Sequence, residues 1–147
     1  MWISFSPDLK HWGDHRPLIR TRHAYWDGQR VGLACQPIET PQGWLLFYHG
    51  VRGTTAGAIY RVGLALLDLN SPWKVLRRSA EWVLGPSAPY ERIGDVSDVV
   101  FPNGATVQKE TDQINLYYGG ADSTVAVATA RLSECIDYVM SCPEVED

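Results

Sequence analysis

Short alternating runs of hydrophobic and polar residues recur along the chain and predict β-strands. The runs are rich in β-branched and aromatic side chains, and each ends at Gly, Pro, Asp or Asn, which is typical of strands joined by tight turns. The only segment with a helical pattern is Ser133–Met140. The predicted strands are Trp2–Ser6, Gly43–His49, Tyr60–Leu67, Val96–Phe101, Thr106–Lys109, Ile114–Tyr118 and Val125–Arg131.

An internal repeat indicates how these strands are organised. Three segments run from an alternating strand into a turn that contains leucine, and these leucines, Leu9, Leu69 and Leu132, are 60 and 63 residues apart. A period near 60 with several short strands per unit fits a four-stranded β-propeller blade. A β-sandwich is the alternative, since it also has short strands at regular spacing. The similarity of the repeats favours the propeller.

The 147 residues are enough for one domain with a sizeable core. The repeat divides it into the end of a blade (1–25), two blades (26–80 and 81–141) and a tail (142–147). About two and a half blades cannot close a ring, so sheet edges and flat faces would be left open. We therefore expect the chain to associate, as a dimer of identical copies or with a separate partner.

Charge and composition exclude several classes of protein. The net charge of −4 gives no reason to expect nucleic acid or an anionic membrane as a partner. No apolar run is long enough to span a bilayer, and the N-terminus has no signal-peptide pattern. The three cysteines form no metal-binding pattern and leave one unpaired in any disulfide scheme, which predicts a cytoplasmic protein. His11 and His15 lack a third ligand, so we expect no metal site.

Three sequence blocks carry most of the functional information. They are WDGQRVGLACQPIETPQGWLLFYHGVRGTTAGAIYR (26–61), VVFPNGA (99–105) and LYYGGADSTVAVATA (116–130). In this order and at this spacing they resemble glycoside hydrolase family 130, the β-mannoside phosphorylases. The resemblance implies an all-β fold, a partial five-bladed β-propeller. Family members are about twice as long as this chain, which matches their C-terminal half.

The resemblance implies a phosphate site at Arg30 and His49. Arg30 stands where the family usually has a phosphate-binding lysine, and it keeps the positive charge while adding a two-pronged donor. His49 matches the family's phosphate-contacting histidine and would donate a hydrogen bond to a phosphate oxygen. The alternative for a single histidine at a strand end is a structural hydrogen bond.

Three further residues match the family's sugar-binding positions. Asp122 corresponds to an aspartate that holds sugar hydroxyls, although Asp is also a favoured turn residue beside two glycines. Tyr60 and Phe101 correspond to aromatic residues near the sugar, where their faces would pack against pyranose C–H groups. Core packing is the alternative for either ring.

The family reaction implied by the resemblance is phosphorolysis of a β-mannoside with inversion. Inorganic phosphate is a co-substrate, and no cofactor is expected. The aspartic acid that protonates the leaving oxygen lies upstream in relatives, so we assign no catalytic residue to this chain. The chain would act with a complementary N-terminal half. The alternative is a non-catalytic propeller fragment that self-associates and binds carbohydrate or has a structural role.

The chain departs from the family pattern at several positions near this site. Gly32-Leu33-Ala34-Cys35-Gln36-Pro37 replaces a run that is usually rich in proline. Asp98 stands where asparagine is usual, and Asn103 where cysteine is common. These changes affect the loops around the predicted site and, with them, the identity of the substrate.

Overall fold

Antiparallel β-sheets form most of the computed structural model, which describes residues 1–145. The strands form a two-stranded sheet (β1-β2), a five-stranded sheet (β3-β5-β6-β7, with β4 also paired to β5) and a three-stranded sheet (β8-β9-β10). The predicted all-β class is confirmed. The elements are β1 (Trp2–Phe5), β2 (Gly13–Pro17), β3 (Arg30–Leu33), β4 (Ile38–Thr40), β5 (Gly43–Thr54), β6 (Gly57–Leu67), β7 (Val75–Arg78), α1 (Pro89–Arg92), β8 (Val100–Gln108), β9 (Gln113–Gly120), β10 (Thr124–Arg131) and α2 (Leu132–Ser141).

The long hairpin of β5 and β6 is the backbone of the five-stranded sheet. Its pairing runs without interruption from Trp44 opposite Leu67 to Thr54 opposite Gly57. The sequence predicted a strand from residue 43 to 49, and pairing with β6 carries it on to residue 54. Before β5, the Thr40 hydroxyl donates a hydrogen bond of 2.6 Å to the carbonyl of Gly43, which closes the turn that returns β4 onto β5.

Strand β8 joins two segments that the sequence analysis separated. We predicted strands at 96–101 and 106–109 with a turn between them, and this was wrong. The structure has one strand from Val100 to Gln108, with an irregular register between Pro102 and Gly104. Asn103 is the extra residue of this β-bulge, so the turn-forming residues bend the strand without ending it.

The repeat leucines lie at equivalent places in two of the three repeats. Leu9 lies between β1 and β2, and Leu69 lies between β6 and β7, so both belong to strand-to-strand connections. Leu132 instead begins α2 directly after β10. This helix packs into the core through Ile136 and Val139, which are both buried. In the third repeat, a helix therefore follows the strand where the other two repeats have a second strand.

The five-stranded sheet is buried on both faces. One face contributes Phe47 and Leu64 to a core shared with the three-stranded sheet, for example with Val100. The opposite face carries a second cluster that includes Tyr48 and Trp26. A sheet covered on both sides is expected for a blade within a stack.

The five- and three-stranded sheets are joined next to one edge by short backbone contacts. Tyr60 of β6 forms a parallel bridge with Val99, which precedes β8, and its N–H donates to the carbonyl of Asp98 at 3.2 Å. Val62 forms an antiparallel bridge with Leu84 in the connecting segment. These bridges bring the ends of β6 and β8 together.

The three-stranded sheet has an open outer face. Val125 and Val127 of β10 are 83% and 51% exposed, and Tyr117 of β9, directly opposite Val127, is 43% exposed. The five-stranded sheet lies within residues 26–80 and the three-stranded sheet within 81–141. The division into blades stays a prediction, and residues 146 and 147 of the predicted tail lie outside the described residues. Within residues 1–145, neither helix is long and apolar enough to cross a membrane.

Candidate functional site

Three of the predicted site residues meet where the two larger sheets join. The His49 and Phe101 ring centroids are 4.7 Å apart, His49 and Tyr60 are 6.2 Å apart, and Tyr60 and Phe101 are 6.1 Å apart. His49 and Tyr60 come from the β5–β6 hairpin, and Phe101 comes from β8. The three rings form one cluster, which we call the aromatic triad.

Gly32 makes room for the His49 ring. β3 pairs with β5 so that Gly32 lies directly opposite His49, and a Cβ on Gly32 would lie 2.7 Å from His49 Nε2. No larger residue fits without displacing the ring. The spacing Arg30-x-Gly32 therefore has a steric reason: the first residue projects a charge and the second leaves space for the imidazole.

Asp122 shares a cleft with two rings of the triad. Tyr60, Phe101 and Asp122 line this cleft together with Val96 and Val99, and its volume is about 310 Å³. Asp122 is exposed and Val96 is half-exposed, so the cleft has an acidic rim and a partly apolar wall. A carboxylate beside aromatic and aliphatic surface can accept hydroxyl hydrogen bonds while C–H groups pack on the rings.

The loop before β8 holds the turn that carries Asp122. The N–H of Ala121 donates to the carbonyl of Val99 at 3.0 Å, and the N–H of Val96 donates to the carbonyl of Ala121 at 3.2 Å. Ala121 and Asp122 have φ angles of 47° and 53°, in the left-handed region that Asp tolerates better than most residues. Asp98, which stands where asparagine is usual, has a φ of 59° in the same left-handed region.

Arg30 is placed close to His49 but outside this cleft. It begins β3, two residues before Gly32, and its side chain is exposed. It lines a separate depression of about 600 Å³ that also includes Trp2, Arg20 and Val31. Three of the five predicted site residues therefore line the cleft, His49 contacts one of them through the Phe101 ring, and Arg30 lies outside the cleft.

His49 is buried, and its hydrogen bonding is incomplete. The residue is 9% exposed, and its Nδ1 atom has no hydrogen-bond partner among residues 1–145. Burial lowers the pKa of His49; the backbone of Leu33 opposes this effect, and the positive charge of Arg30 adds to it. A buried polar atom without a partner is unfavourable and commonly marks a place where a ligand or water binds.

The structure also contains site features that the sequence analysis missed. Val96 and Val99 line the cleft, although their apolar character predicted only a strand. Asp27, from the first sequence block, is fully buried and bonded to Arg22, Tyr48 and Arg78. The signal that the sequence offered was its place directly after a tryptophan, where the pattern of the resembled family also has an acidic residue.

Neither metal nor thiol chemistry is evident in the described part of the chain. Residues 1–145 contain no group of three or more His, Cys, Asp or Glu side chains that could hold a metal ion. Burial raises the pKa of Cys35 to about 11, so this thiol is protonated and unreactive at neutral pH.

Stacked antiparallel sheets are the architecture of a β-propeller, and a cleft with aromatic walls and a few polar groups is typical of a small-molecule binding site. The model of the Glyco_hydro_130 family, described as beta-1,4-mannooligosaccharide phosphorylase, matches residues 1–141. The chain belongs to this family, glycoside hydrolase family 130, which confirms the resemblance seen in the sequence.

Individual relatives are closely similar over most of this chain. It is 43% identical to the beta-1,4-mannooligosaccharide phosphorylase of Ruminococcus albus over 96% of its length, and 45% identical to the beta-1,2-mannobiose phosphorylase of Listeria innocua over 92%. A solved structure of beta-1,2-mannobiose phosphorylase from Listeria innocua, in complex with beta-1,2-mannobiose, superimposes with a TM-score of 0.88 at 43% identity over 95% of this chain.

The match covers less than half of each of these relatives. The chain spans 42% of the Ruminococcus albus protein and 37% of the Listeria innocua protein, and it covers 38% of the chain in the solved structure. The sequence is thus a partial match to the family, about two fifths of a complete relative.

Proposed function

We propose that this chain provides the phosphate- and sugar-binding side of a β-mannoside phosphorylase site. The observation that supports this most directly is the aromatic triad, in which a buried histidine with an unpartnered nitrogen lies beside a cleft rimmed by Asp122. Catalysis requires the acid that the family resemblance places upstream, on a complementary N-terminal half.

Each residue has a chemical role in this proposal. Arg30 and His49 bind inorganic phosphate, the only co-substrate, and no cofactor takes part. Tyr60 and Phe101 pack against the C–H face of a mannosyl unit, and Asp122 accepts hydrogen bonds from its hydroxyls.

The reaction divides between this site and the missing half. A phosphate oxygen forms a bond to the anomeric carbon while the glycosidic C–O bond breaks. The proton that the leaving oxygen takes up comes from the acid of the other half. The products are mannose 1-phosphate and the released sugar.

The substrate class follows from the relatives. Both named relatives are phosphorylases of β-linked mannosides, one of 1,4-linked and one of 1,2-linked substrates. We therefore propose β-mannosides as substrates.

Phosphate binding can be measured on the chain itself by following the imidazole resonances of its four histidines by NMR, assigned with His49→Gln. Phosphate should raise the pKa of His49, because a neighbouring anion favours the imidazolium form. Arg30→Ala should weaken this response at least tenfold. Arg52→Ala is the matched control, because Arg52 is an exposed arginine on β5. No response of His49 to millimolar phosphate would refute the phosphate site.

Activity can be tested by supplying the missing part. The chain is mixed with the N-terminal three fifths of the Listeria innocua relative, and mannose 1-phosphate release from β-1,2-mannobiose and phosphate is measured. We expect release from the mixture, none from either part alone, and a loss of at least tenfold with His49→Ala. A mixture that forms a complex but releases no product contradicts the enzymatic part of the proposal.

The second candidate is a self-associating fragment without catalysis, and one observation favours it. The outer face of the three-stranded sheet exposes Tyr117, Val125 and Val127, an apolar surface that a second copy could cover. In this case the cleft binds carbohydrate, or only supports the structure, within a dimer. A cytoplasmic location stays a prediction for either candidate.

A further inference from the structure

A buried ion-pair network lies on the face of the five-stranded sheet that points away from the aromatic triad. Asp27 is fully buried. Its Oδ2 accepts hydrogen bonds from Arg22 Nη2 at 2.7 Å, Arg78 Nη2 at 2.6 Å and Tyr48 Oη at 2.9 Å. Arg22 Nε also donates to both carboxylate oxygens at 3.1 Å. We call these four residues the Asp27 clamp.

The residue next to Asp27 locks the same loop onto the sheet. Trp26 stacks on Tyr48 with a centroid distance of 5.6 Å, and its Nε1 donates to the carbonyl of Ala80 at 2.9 Å. Its ring fills the space above two glycines, Gly50 of β5 and Gly63 of β6, where any Cβ would collide with it. The absence of side chains at these two glycines therefore leaves the space that the Trp26 ring occupies above the two strands.

The loop leads from this clamp directly to Arg30, one of the two residues of the proposed phosphate site, which we also call the anion site. Hydrogen bonds from Tyr25 to Arg22 and from Gly28 to Tyr25 make two successive tight turns, and the N–H of Gln29 then donates to Val51 at 3.0 Å. Arg30 follows and pairs with Val51. Only two residues, Gly28 and Gln29, thus separate Asp27 from Arg30, and the backbone between them has little freedom.

We propose that Asp27 is a positioning residue of the anion site, which sets where β3 begins and so holds Arg30 beside His49. The inference rests on the proposed function of Arg30 and His49 as the phosphate site. Stability alone is a weak reason for such a group, because buried ion pairs contribute little net stability compared with apolar residues of similar size. In some proteins a buried ionic group instead fixes one arrangement of the chain, and this is the role that we assign to Asp27.

The role of Asp27 can be tested without phosphate, because the positive charge of Arg30 adds to the effect of burial in lowering the pKa of His49. The other ring neighbours, Tyr60 and Phe101, carry no positive charge. Arg30→Ala should raise the pKa of His49, and Asp27→Asn should raise it in the same direction, since Arg30 is no longer held in place. Asp27→Glu, which keeps the carboxylate, should restore most of the wild-type value.

Glu91→Gln is the matched control for loss of a buried carboxylate. Glu91 is 3% exposed and is held by Tyr118 and by the backbone of Ser87 and Ala88, in the region before β8. Glu91→Gln should lower the melting temperature, as we also expect for Asp27→Asn, but it should not change the pKa of His49. If Asp27→Asn does not fold, Arg22→Gln removes one partner of the carboxylate and is measured in the same way.

The test is an NMR titration of His49 in wild type, Asp27→Asn, Asp27→Glu and Glu91→Gln, well below each melting temperature, first without and then with inorganic phosphate. We expect a raised His49 pKa and at least a tenfold weaker phosphate response in Asp27→Asn alone. An unchanged His49 pKa in folded Asp27→Asn overturns the positioning role. A raised pKa in Asp27→Asn, with no phosphate response even in wild type, supports the positioning role and refutes the phosphate site instead.

Discussion

The two larger sheets differ in how completely their faces are covered. The five-stranded sheet is buried on one side by the shared core and on the other by the loop that carries Trp26 and Asp27. The three-stranded sheet contributes to the shared core, but its outer face leaves Val125 and Val127 exposed. The two sheets thus have different surroundings. Within residues 1–145, only the five-stranded sheet is covered on both faces.

Because of this difference, one part of the candidate site should depend on association with another chain more than the other part does. Arg30, His49 and Tyr60 belong to the sheet that is covered on both faces, so their positions are set within this chain. Phe101 and Asp122 belong to the sheet with the open face. We expect the proposed phosphate-binding residues, Arg30 and His49, to be well positioned in the isolated chain, and the proposed sugar-binding residues to be more sensitive to association.

The largest expected effect concerns folding stability. Val62→Ala removes a fully buried side chain from the five-stranded sheet and should lower the free energy of unfolding by about 1.5–3 kcal/mol. Val125→Ala makes the same chemical change on the open face and should stay within about 0.5 kcal/mol of wild type in the monomer. Urea unfolding measures both variants. Equal losses would mean that the open face is covered in solution.

The next effect concerns association. Val127→Lys places a charge in the open face, and we expect it to reduce a dimer to monomers, because an interface core excludes unpaired charge. Light scattering gives the mass of each species. Leu9→Lys is the control, since Leu9 is 78% exposed but lies in the turn between β1 and β2. A wild-type chain that stays monomeric at high concentration contradicts self-association.

A smaller effect concerns pH. The pKa of His49 is lower in the folded chain than in the unfolded chain, so the unfolded state binds more protons at mildly acidic pH. The stabilising contribution is complete above about pH 6.5, the ordinary histidine pKa, and is lost as the pH falls below it, by at most about 1.4 kcal/mol per pH unit. Unfolding free energies measured from pH 7.5 to 5 should show a smaller decline in His49→Gln. An identical decline would show that His49 is not the group responsible.

The smallest expected effect on stability comes from Asp122→Asn. Asparagine tolerates a φ of 53°, and the side chain is exposed, so the melting temperature should not change. Mannose binding followed by NMR should weaken at least fivefold, because an amide replaces one hydrogen-bond acceptor with a donor. Asp14→Asn is the matched control, because Asp14 is also exposed and has a φ of 49° in the first hairpin. This variant should bind mannose as wild type does. Unchanged mannose binding in Asp122→Asn would remove Asp122 from the sugar site.

The sequence was most informative where a strand has its own alternating pattern. The long strands β5, β6, β9 and β10 were predicted from that pattern, and α2 was predicted from the helical pattern of Ser133–Met140. The short strands β2, β3, β4 and β7 were missed, because pairing with β1, β5 and β6 holds them extended and their own composition does not. The bulge at Asn103 was misread as a turn, since the residues that favour turns also favour bulges.

The candidate site shows the same limit. The residues of the aromatic triad were identified by resemblance to a family, but their ring-to-ring contacts depend on the joint between two sheets. Asp27 was missed because an acidic residue normally indicates a solvated surface. Two of its partners, Tyr48 and Arg78, are 21 and 51 residues away, so only the folded chain shows that its charge is neutralised.

The bridge between Tyr60 and Val99 has a thermodynamic consequence. The bridge joins the sheet that carries Tyr60 to the sheet that carries Phe101. A ligand that contacts both rings therefore contacts both sheets. Binding and sheet-to-sheet docking are then coupled, and the coupling must be reciprocal. Any partner that tightens the joint increases affinity for the ligand, and the ligand strengthens association with that partner by the same factor.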